Sequence, residues 1–340
     1  MAVSTIPPQK NSTVPHNHPA QGIMRFPETL EGKPCKVCGA AGMDSFRLLY
    51  TLPTCEIARC RSCGFTFVPP WWRRNIEYTT YKSAATALEI RKGNNTLKLA
   101  RHKLRLRFIR RFKSSGTLLD VGSGWGHFLL AAHQAGYNVL GVELDEQPFL
   151  YATQELGLPV LREDFYNFSS DRRFEIITLW DVLEHIDDPR SFLMNCARLQ
   201  EPGGLLVIQV PQINSVVARF TGRKWKMLGL DHVNYFSPVT LRLLLNECGY
   251  EVKSVKASLE LKLLLMYTIF PMWAALKKLW KRKDDLHVDN TSRQAFFNKV
   301  TQRPPWQLAL MIALHNAVYN TLSFLGIGEE MMVAAQKRKN

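Results

Sequence analysis

The stretch LLDVGSGWGHFLLAAHQAGYNVLGVELD runs from Leu118 to Asp145. Its apolar start, Leu118 to Val121, reads as a short buried strand. Gly122, Gly124 and Gly126 follow it, and glycines let a backbone turn tightly and approach a ligand closely. HFLLAAHQ then has the apolar spacing of a helix, ended by Gly136. A helix starting behind such a loop points its N–H groups at the loop. NVLGVELD is the next strand. Glu143 closes it about twenty residues after the loop, where a carboxylate can bind both hydroxyls of a ribose. The spacing is G-S-G-W-G, not G-x-G-x-x-G.

The alternation continues outward. EQPFLYATQELG is a predicted helix ended by Gly157, PVLRED a third strand, and FEIITLWDVL a fourth. The fourth has the continuous apolar run of a strand buried on both faces. PRSFLMNCARLQ is a helix, EPGG a turn and LLVIQV a fifth strand. SPVTLRLLLNECG is a helix with Ser237 as N-cap and Pro238 in its first turn. YEVKSVKA is a sixth strand and EEMMVAAQK a last one. Strands alternating with helices of this length imply an α/β fold built on a parallel, doubly wound sheet.

Five motifs now stand in order: LLDVGSGWG, GVELD, EDF, FEIITLWDVLEHIDDP and LQEPGGLLVIQVP. In this order and spacing they resemble class I S-adenosylmethionine-dependent methyltransferases, over about residues 100–258 and the last strand. The resemblance implies a Rossmann-like seven-stranded sheet. It also implies that Asp120, Gly122, Ser123, Gly124 and Gly126 surround the methionine part of S-adenosylmethionine. Glu143 would bind the ribose and Leu144 would pack on the adenine. Asp164 would accept from the adenine amino group with Phe165 beside it. Trp180 and Asp181 would border the methionine and the acceptor.

Ligands of open α/β sheets bind outside the carboxyl ends of the strands. DVLEHIDD places Glu184 and His185 there, and WKMLGLDHVNYFSPVTL adds His232 and Tyr235. Either histidine can act as a general base near neutral pH. Packing and loop-holding roles for these residues remain open at this point. The Glu-His segment is similar to that of ubiquinone-pathway O-methyltransferases, which makes a divalent-ion role conceivable.

The seven cysteines include two C-x-x-C-G knuckles, CKVCGA and CRSCGF. This spacing lets Cys35, Cys38, Cys60 and Cys63 close on one ion as four thiolates, the donor set of structural zinc. Cys55 could compete as a ligand, whereas Cys196 and Cys248 read as small buried hydrophobes. A zinc ribbon before this methyltransferase pattern resembles two groups. One is the sugar C-methyltransferases of nucleotide-linked deoxysugars and their polysaccharide and natural-product relatives. The other is a set of ribosomal RNA base methyltransferases. Amino-group methyltransferases of nucleic acids usually carry Pro-Pro-aromatic after the fourth strand, and WDVLEH stands here instead.

The net charge of +15 is lopsided. Residues 1–116 contribute +14 and the remainder +1. KLARHKLRLRFIRRFK, from Lys98 to Lys113, has eight basic residues and no acidic one. Such a helix can pack one side on the core and solvate the other, or meet lipid headgroups or RNA phosphates. LLLMYTIFPMWAALKKLWKRK, residues 263–283, is too short to span a bilayer, and its Trp and Lys composition suits an interface. The first residues lack the apolar core of a secretory signal.

The expected organisation is a disordered tail over 1–30, a zinc ribbon over 31–70 and a basic helical linker over 71–116. The methyltransferase core follows over 117–258, then a helical insertion over 259–326 and the last strand and tail over 327–340. The expected activity is methyl transfer from S-adenosylmethionine to oxygen or carbon of a small, sugar-like or lipid-linked biosynthetic acceptor. The alternative is an RNA methyltransferase gripping phosphates with the ribbon and basic helix. A cytoplasmic location with peripheral membrane contact through 263–283 is expected, and the sequence leaves the oligomeric state open.

Overall fold

A computed structural model describes residues 34–53, 55–69, 95–229, 232–258 and 328–339, plus isolated helical positions at 313, 317 and 321. The expectations for the 1–30 tail, the first part of the linker, the 259–326 insertion and membrane contact through 263–283 lie outside the described residues.

The cysteine module supplies β1 (Phe46–Thr51), β2 (Glu56–Cys60) and β3 (Thr66–Phe67). Then come α1 (Asn95–Arg110), β4 (Thr117–Val121), α2 (His127–Gln134), β5 (Asn138–Glu143), α3 (Glu146–Leu150) and β6 (Val160–Arg162). The second half holds β7 (Phe174–Trp180), α4 (Pro189–Leu199), β8 (Gln200–Pro211), α5 (Val216–Thr221) and β9 (Asn234–Tyr235). It closes with α6 (Pro238–Glu247), β10 (Tyr250–Ser258) and β11 (Glu330–Lys337).

Seven strands form one sheet in the order β10-β11-β8-β7-β4-β5-β6. The sequence pattern implied parallel strands throughout, and β11 is the exception, lying antiparallel between β10 and β8. Alternation along the strands feeds two cores. Leu119, Val121, Ile177 and Leu179 pack under α4 and α6 on one face. Leu118, Ile176 and Val207 pack under α1 and α2 on the other. The basic helix therefore docks: Leu106, Phe108 and Ile109 are buried, while Lys103, Arg107 and Arg110 are exposed.

Two local readings need correction. EPGG is not a free turn. It lies inside β8, where the register with β7 shifts between Phe174 and Ile176. Gly203 accommodates this irregularity with φ of 75°. The ribbon is also not self-contained, because β9 extends its sheet to β1-β2-β3-β9. Phe65 and Phe67 share one core with Phe236, Leu241 and Leu244. α6 starts as expected, with Ser237 and Thr240 forming a reciprocal capping box and Pro238 in the first turn.

Candidate active site

The carboxyl ends of β4, β5, β7 and β8 converge on the glycine loop. Gly122 N and Ser123 N donate to Val142 O at 2.8 and 3.1 Å, which folds the loop over β5. Gly122, Gly124 and Gly126 all have positive φ, at 67°, 54° and 74°. Their surroundings differ. A Cβ at Gly122 would meet Val182 Cγ2 at 2.8 Å, and one at Gly126 would meet Ala152 and Leu158, each at 2.9 Å. A Cβ at Gly124 would meet nothing within 4 Å. Two of the glycines serve packing, and the third leaves open space beside the loop.

Glu143 borders that space. Its carboxylate accepts from Gly124 N at 2.6 Å and Asp145 N at 2.9 Å. Burial raises its pKa, and those two backbone N–H groups partly offset the rise. Leu144 beside it is 62% exposed. Asp164 Oδ1 accepts from Tyr166 N at 3.0 Å. Phe165 turns inward, 4.7 Å from the ring of Phe192. Ser123 is nearly buried on the loop. Asp120, on β4 opposite Thr178, is buried and accepts from the Thr178 hydroxyl at 2.6 Å.

At the end of β7, Trp180 packs edge-on against Phe128 at 4.9 Å. Asp181 has φ of 59°, the one non-glycine in the left-handed region among the described residues. Its carboxylate takes Arg101 at 2.6 Å and Arg105 at 3.0 Å, both from α1. Burial would raise the Asp181 pKa, but the two guanidiniums outweigh it and hold the carboxyl below its usual range. Arg105 also lies over the Trp180 ring at 4.4 Å and donates to Gln209 Oε1 at 3.2 Å. Gln209 Nε2 in turn donates to Asp181 Oδ1 at 3.1 Å and to Glu330 Oε2 at 2.6 Å. Sequence reasoning passed over Arg101, Arg105, Gln209 and Glu330. The i, i+4 spacing of the two arginines put both on one helix face, but a uniformly basic run hid that signal.

On the other side of β7, the rings of His185 and His232 meet at 4.8 Å, edge to face. His232 Nδ1 lies 3.0 Å from Met227 O, an atom that can only accept, so Nδ1 carries the proton. In the neutral ring Nε2 is then the basic nitrogen. Glu184 Oε1 is 4.0 Å from His185 Nε2, and ligating atoms of Glu184, His185 and His232 all fall within 4.8 Å of one another. Tyr235 is fully buried. Its hydroxyl accepts from Gly229 N at 2.9 Å and donates to His232 O at 3.1 Å. That places Tyr235 as a brace for the His232 loop.

The four knuckle cysteines come together as a second cluster. Cys35 and Cys63 Sγ are 3.7 Å apart, as are Cys38 and Cys60 Sγ. Zinc–sulfur bonds of about 2.3 Å in a tetrahedron put neighbouring sulfurs about 3.8 Å apart, so the four thiols fit that ion. Burial pushes the Cys35 thiol up to about 11 and raises Cys63 as well, so without a cation those sulfurs stay protonated. Cys55 is buried outside this cluster, beside Ile57 and Tyr235. Cys196 and Cys248 are buried, as expected.

The sheet order, the glycine loop after its first strand and the acid closing the second define a class I methyltransferase fold. Residues 93–255 match the family model described as a methyltransferase domain. Over this segment, just under half of the 340 residues, the chain is similar to methyltransferase domains.

Several similar proteins are ubiquinone biosynthesis O-methyltransferases. The one from Proteus mirabilis is 32% identical over 94 residues, 26% of this chain and 38% of that protein. The one from Pseudomonas paraeruginosa is 27% identical over 195 residues, 53% of this chain and 79% of that protein. The chain thus spans between 38% and 79% of the length of these relatives. Among solved structures, a SAM-dependent methyltransferase from Archaeoglobus fulgidus is similar with TM-score 0.44 and 20% identity, covering 71% of this chain and 95% of that one. The N-methyltransferase NodS from Bradyrhizobium japonicum, in complex with S-adenosyl-L-homocysteine, has TM-score 0.37 and 18% identity, covering 48% and 81%.

Proposed function

We propose that the chain transfers a methyl group from S-adenosylmethionine to oxygen or carbon of a small biosynthetic acceptor of sugar-like or lipid-linked type. The observation that carries this reading is the open space at Gly124 beside the Glu143 carboxylate. A ligand approaching the loop backbone there meets an acid suited to paired hydroxyls. The O-methyltransferase names of the relatives favour oxygen.

When bound, S-adenosylmethionine supplies an electrophilic methyl group on its sulfonium. Asp120, Gly122, Ser123, Gly124 and Gly126 would enclose the methionine part, and Glu143 would take the ribose. Leu144 would cover the adenine, whose amino group would donate to Asp164, with Phe165 backing that loop. Trp180 and Asp181 would border the methyl and the acceptor. Holding the nucleophile in line with the methyl supplies most of the acceleration. His185 or His232 then accepts the acceptor's proton, and Tyr235 keeps His232 in place. The network from Asp181 through the buried Gln209 to the buried Glu330 ties the end of β7 to β8 and β11 and so holds Asp181 in place. Zinc, when bound to Cys35, Cys38, Cys60 and Cys63, supplies a structural cross-link.

The test is incubation with methyl-labelled S-adenosylmethionine and an undermethylated cell extract, followed by fractionation. Label in glycan, lipid or small molecules is expected. Label confined to RNA overturns the acceptor class. Replacing both His185 and His232 with alanine should abolish most turnover while S-adenosylhomocysteine still binds. Unchanged turnover rules out the pair as the base.

A further inference from the structure

β9 is only two residues long, yet it joins the ribbon to the candidate active site. It pairs antiparallel with β3, Thr66 opposite Tyr235 and Phe67 opposite Asn234. β3 follows directly on the second knuckle, where Phe65 N donates to Cys63 Sγ at 3.5 Å. The Phe65 ring then packs against Phe67 at 5.7 Å and Phe236 at 5.3 Å. The first knuckle reaches the same place. Lys36 Nζ donates to Asn234 Oδ1 at 3.3 Å, and Arg190 Nη2 donates to Val37 O at 2.8 Å.

From this edge Asn234 grips the loop after β7. Its Nδ2 donates to Leu183 O at 3.1 Å and to Ile186 O at 2.6 Å. Val233 N adds a bond to Glu184 O at 2.8 Å. His185 sits between the two gripped carbonyls, and His232 lies two residues before Asn234. The amide has two donors and one acceptor, and here it faces two carbonyls and one ammonium. An aspartate could not donate to either carbonyl, and a serine would leave at least one bare. Asn234 is 1% exposed, so water cannot take over those bonds.

We propose that Asn234 is a positioning residue through which the four-cysteine ribbon sets the His185–His232 pair, so that the ribbon's metal state controls the geometry of the acceptor side while leaving the cofactor loop alone. This rests on the reading of that pair as the acceptor-side groups. The glycine loop and Glu143 hang on β4 and β5. The histidine pair hangs on β7 and β9, and β9 is a strand of the ribbon sheet.

The test uses the full chain with selectively labelled histidines and reads three quantities: zinc content, S-adenosylhomocysteine affinity by calorimetry, and the ring resonances of His185 and His232. In the parent, stripping zinc with a chelator should shift both resonances beyond their linewidths with cofactor affinity unchanged. Asn234→Ser should keep its zinc and its cofactor affinity, show shifted resonances from the outset, and respond little to zinc removal. Equal responses in parent and variant overturn the proposal, as do unmoved resonances in the variant. Loss of cofactor affinity on stripping zinc also overturns it, because the ribbon would then support the whole fold. Should Asn234→Ser fail to fold, Lys36→Met loosens the same amide from the ribbon side and must shift the same resonances. If these couplings hold while no extract fraction is labelled, the positioning stands and the methyl-transfer reading falls.

Discussion

Thr178 Oγ1 donates to Asp120 Oδ1 at 2.6 Å across a register pair of β4 and β7, with both residues buried. Burial pushes the Asp120 carboxyl up to about 7 from 3.8, although the Thr178 bond and the Arg105 charge pull it down. The folded protein therefore holds this proton more tightly than the unfolded chain. The stability it confers is complete below about pH 4 and is lost as pH rises through about 7. Three units correspond to roughly 4 kcal/mol. Asp120→Asn should flatten the fall in stability between those pH values, as read from urea midpoints across the range. A parent and variant with parallel pH profiles would remove this carboxyl from the account.

The three loop glycines should separate by phenotype. Gly124→Ala meets open space, so its folding cost is the left-handed backbone alone, about 1–2 kcal/mol. Its methyl group projects into the space beside Glu143, and S-adenosylhomocysteine affinity should fall at least about tenfold, about 1.4 kcal/mol. Gly122→Ala and Gly126→Ala add collisions with Val182 and with Ala152 and Leu158, so they should cost about 1–3 kcal/mol more in stability. Denaturation and calorimetry on the three variants decide it. Wild-type affinity in Gly124→Ala would mean the ligand does not approach that backbone.

Arg101 and Arg105 share Asp181 but not its burial. The Arg105 side chain is 5% exposed and that of Arg101 35%. Breaking a buried pair costs about 3–5 kcal/mol, and Asp181 is itself a third exposed, so Arg105→Met should cost about 1–3 kcal/mol. Arg101→Met should cost under about 1 kcal/mol. Pairing Arg105→Met with Asp181→Asn should recover part of the loss, because the carboxylate no longer needs a partner. Additive losses in that double variant, measured by urea denaturation at pH 7, would show that Arg105 matters through its contacts with Trp180 and Gln209 rather than through the Asp181 charge.

The sheet was legible because its signals are local: β4, β5, β7 and β8 carry short apolar runs, and Gly136 and Gly157 end the two helical segments that flank β5. What escaped were relationships set by tertiary packing. β9 is a strand only because β3 lies beside it, and two residues carry no periodicity. EPGG has turn composition, and its pairing depends on where β7 ends. Arg101 and Arg105 sit in a stretch where Lys103, Arg107, Arg110 and Arg111 are exposed, so no local feature separates the two that turn toward Asp181. Of the candidate residues drawn from motifs, the loop glycines, Glu143, Trp180 and Asp181 lie at or just beyond the ends of β4, β5 and β7, whereas Tyr235 lies in β9. The structure adds that Phe165 turns into the core and that both hydrogen-bonding capacities of the Tyr235 hydroxyl are engaged.

The four-sulfur cluster makes a prediction about which cysteine can be lost. Cys38 and Cys60 form one 3.7 Å pair and Cys35 and Cys63 the other, while Cys55 packs apart from them. Purified protein should carry one zinc per chain. Cys38→Ser and Cys60→Ser should each lose most of it, and a chelator should lower the thermal midpoint of the parent, since metal binding to a site absent from the unfolded chain is folding free energy. Cys55→Ser should keep the zinc. It buries a hydroxyl in an apolar cluster instead, at a cost of about 1–3 kcal/mol. Metal analysis of the three variants separates the outcomes. Zinc lost from Cys55→Ser but kept in Cys38→Ser would replace Cys38 by Cys55 in the donor set and redraw the first knuckle.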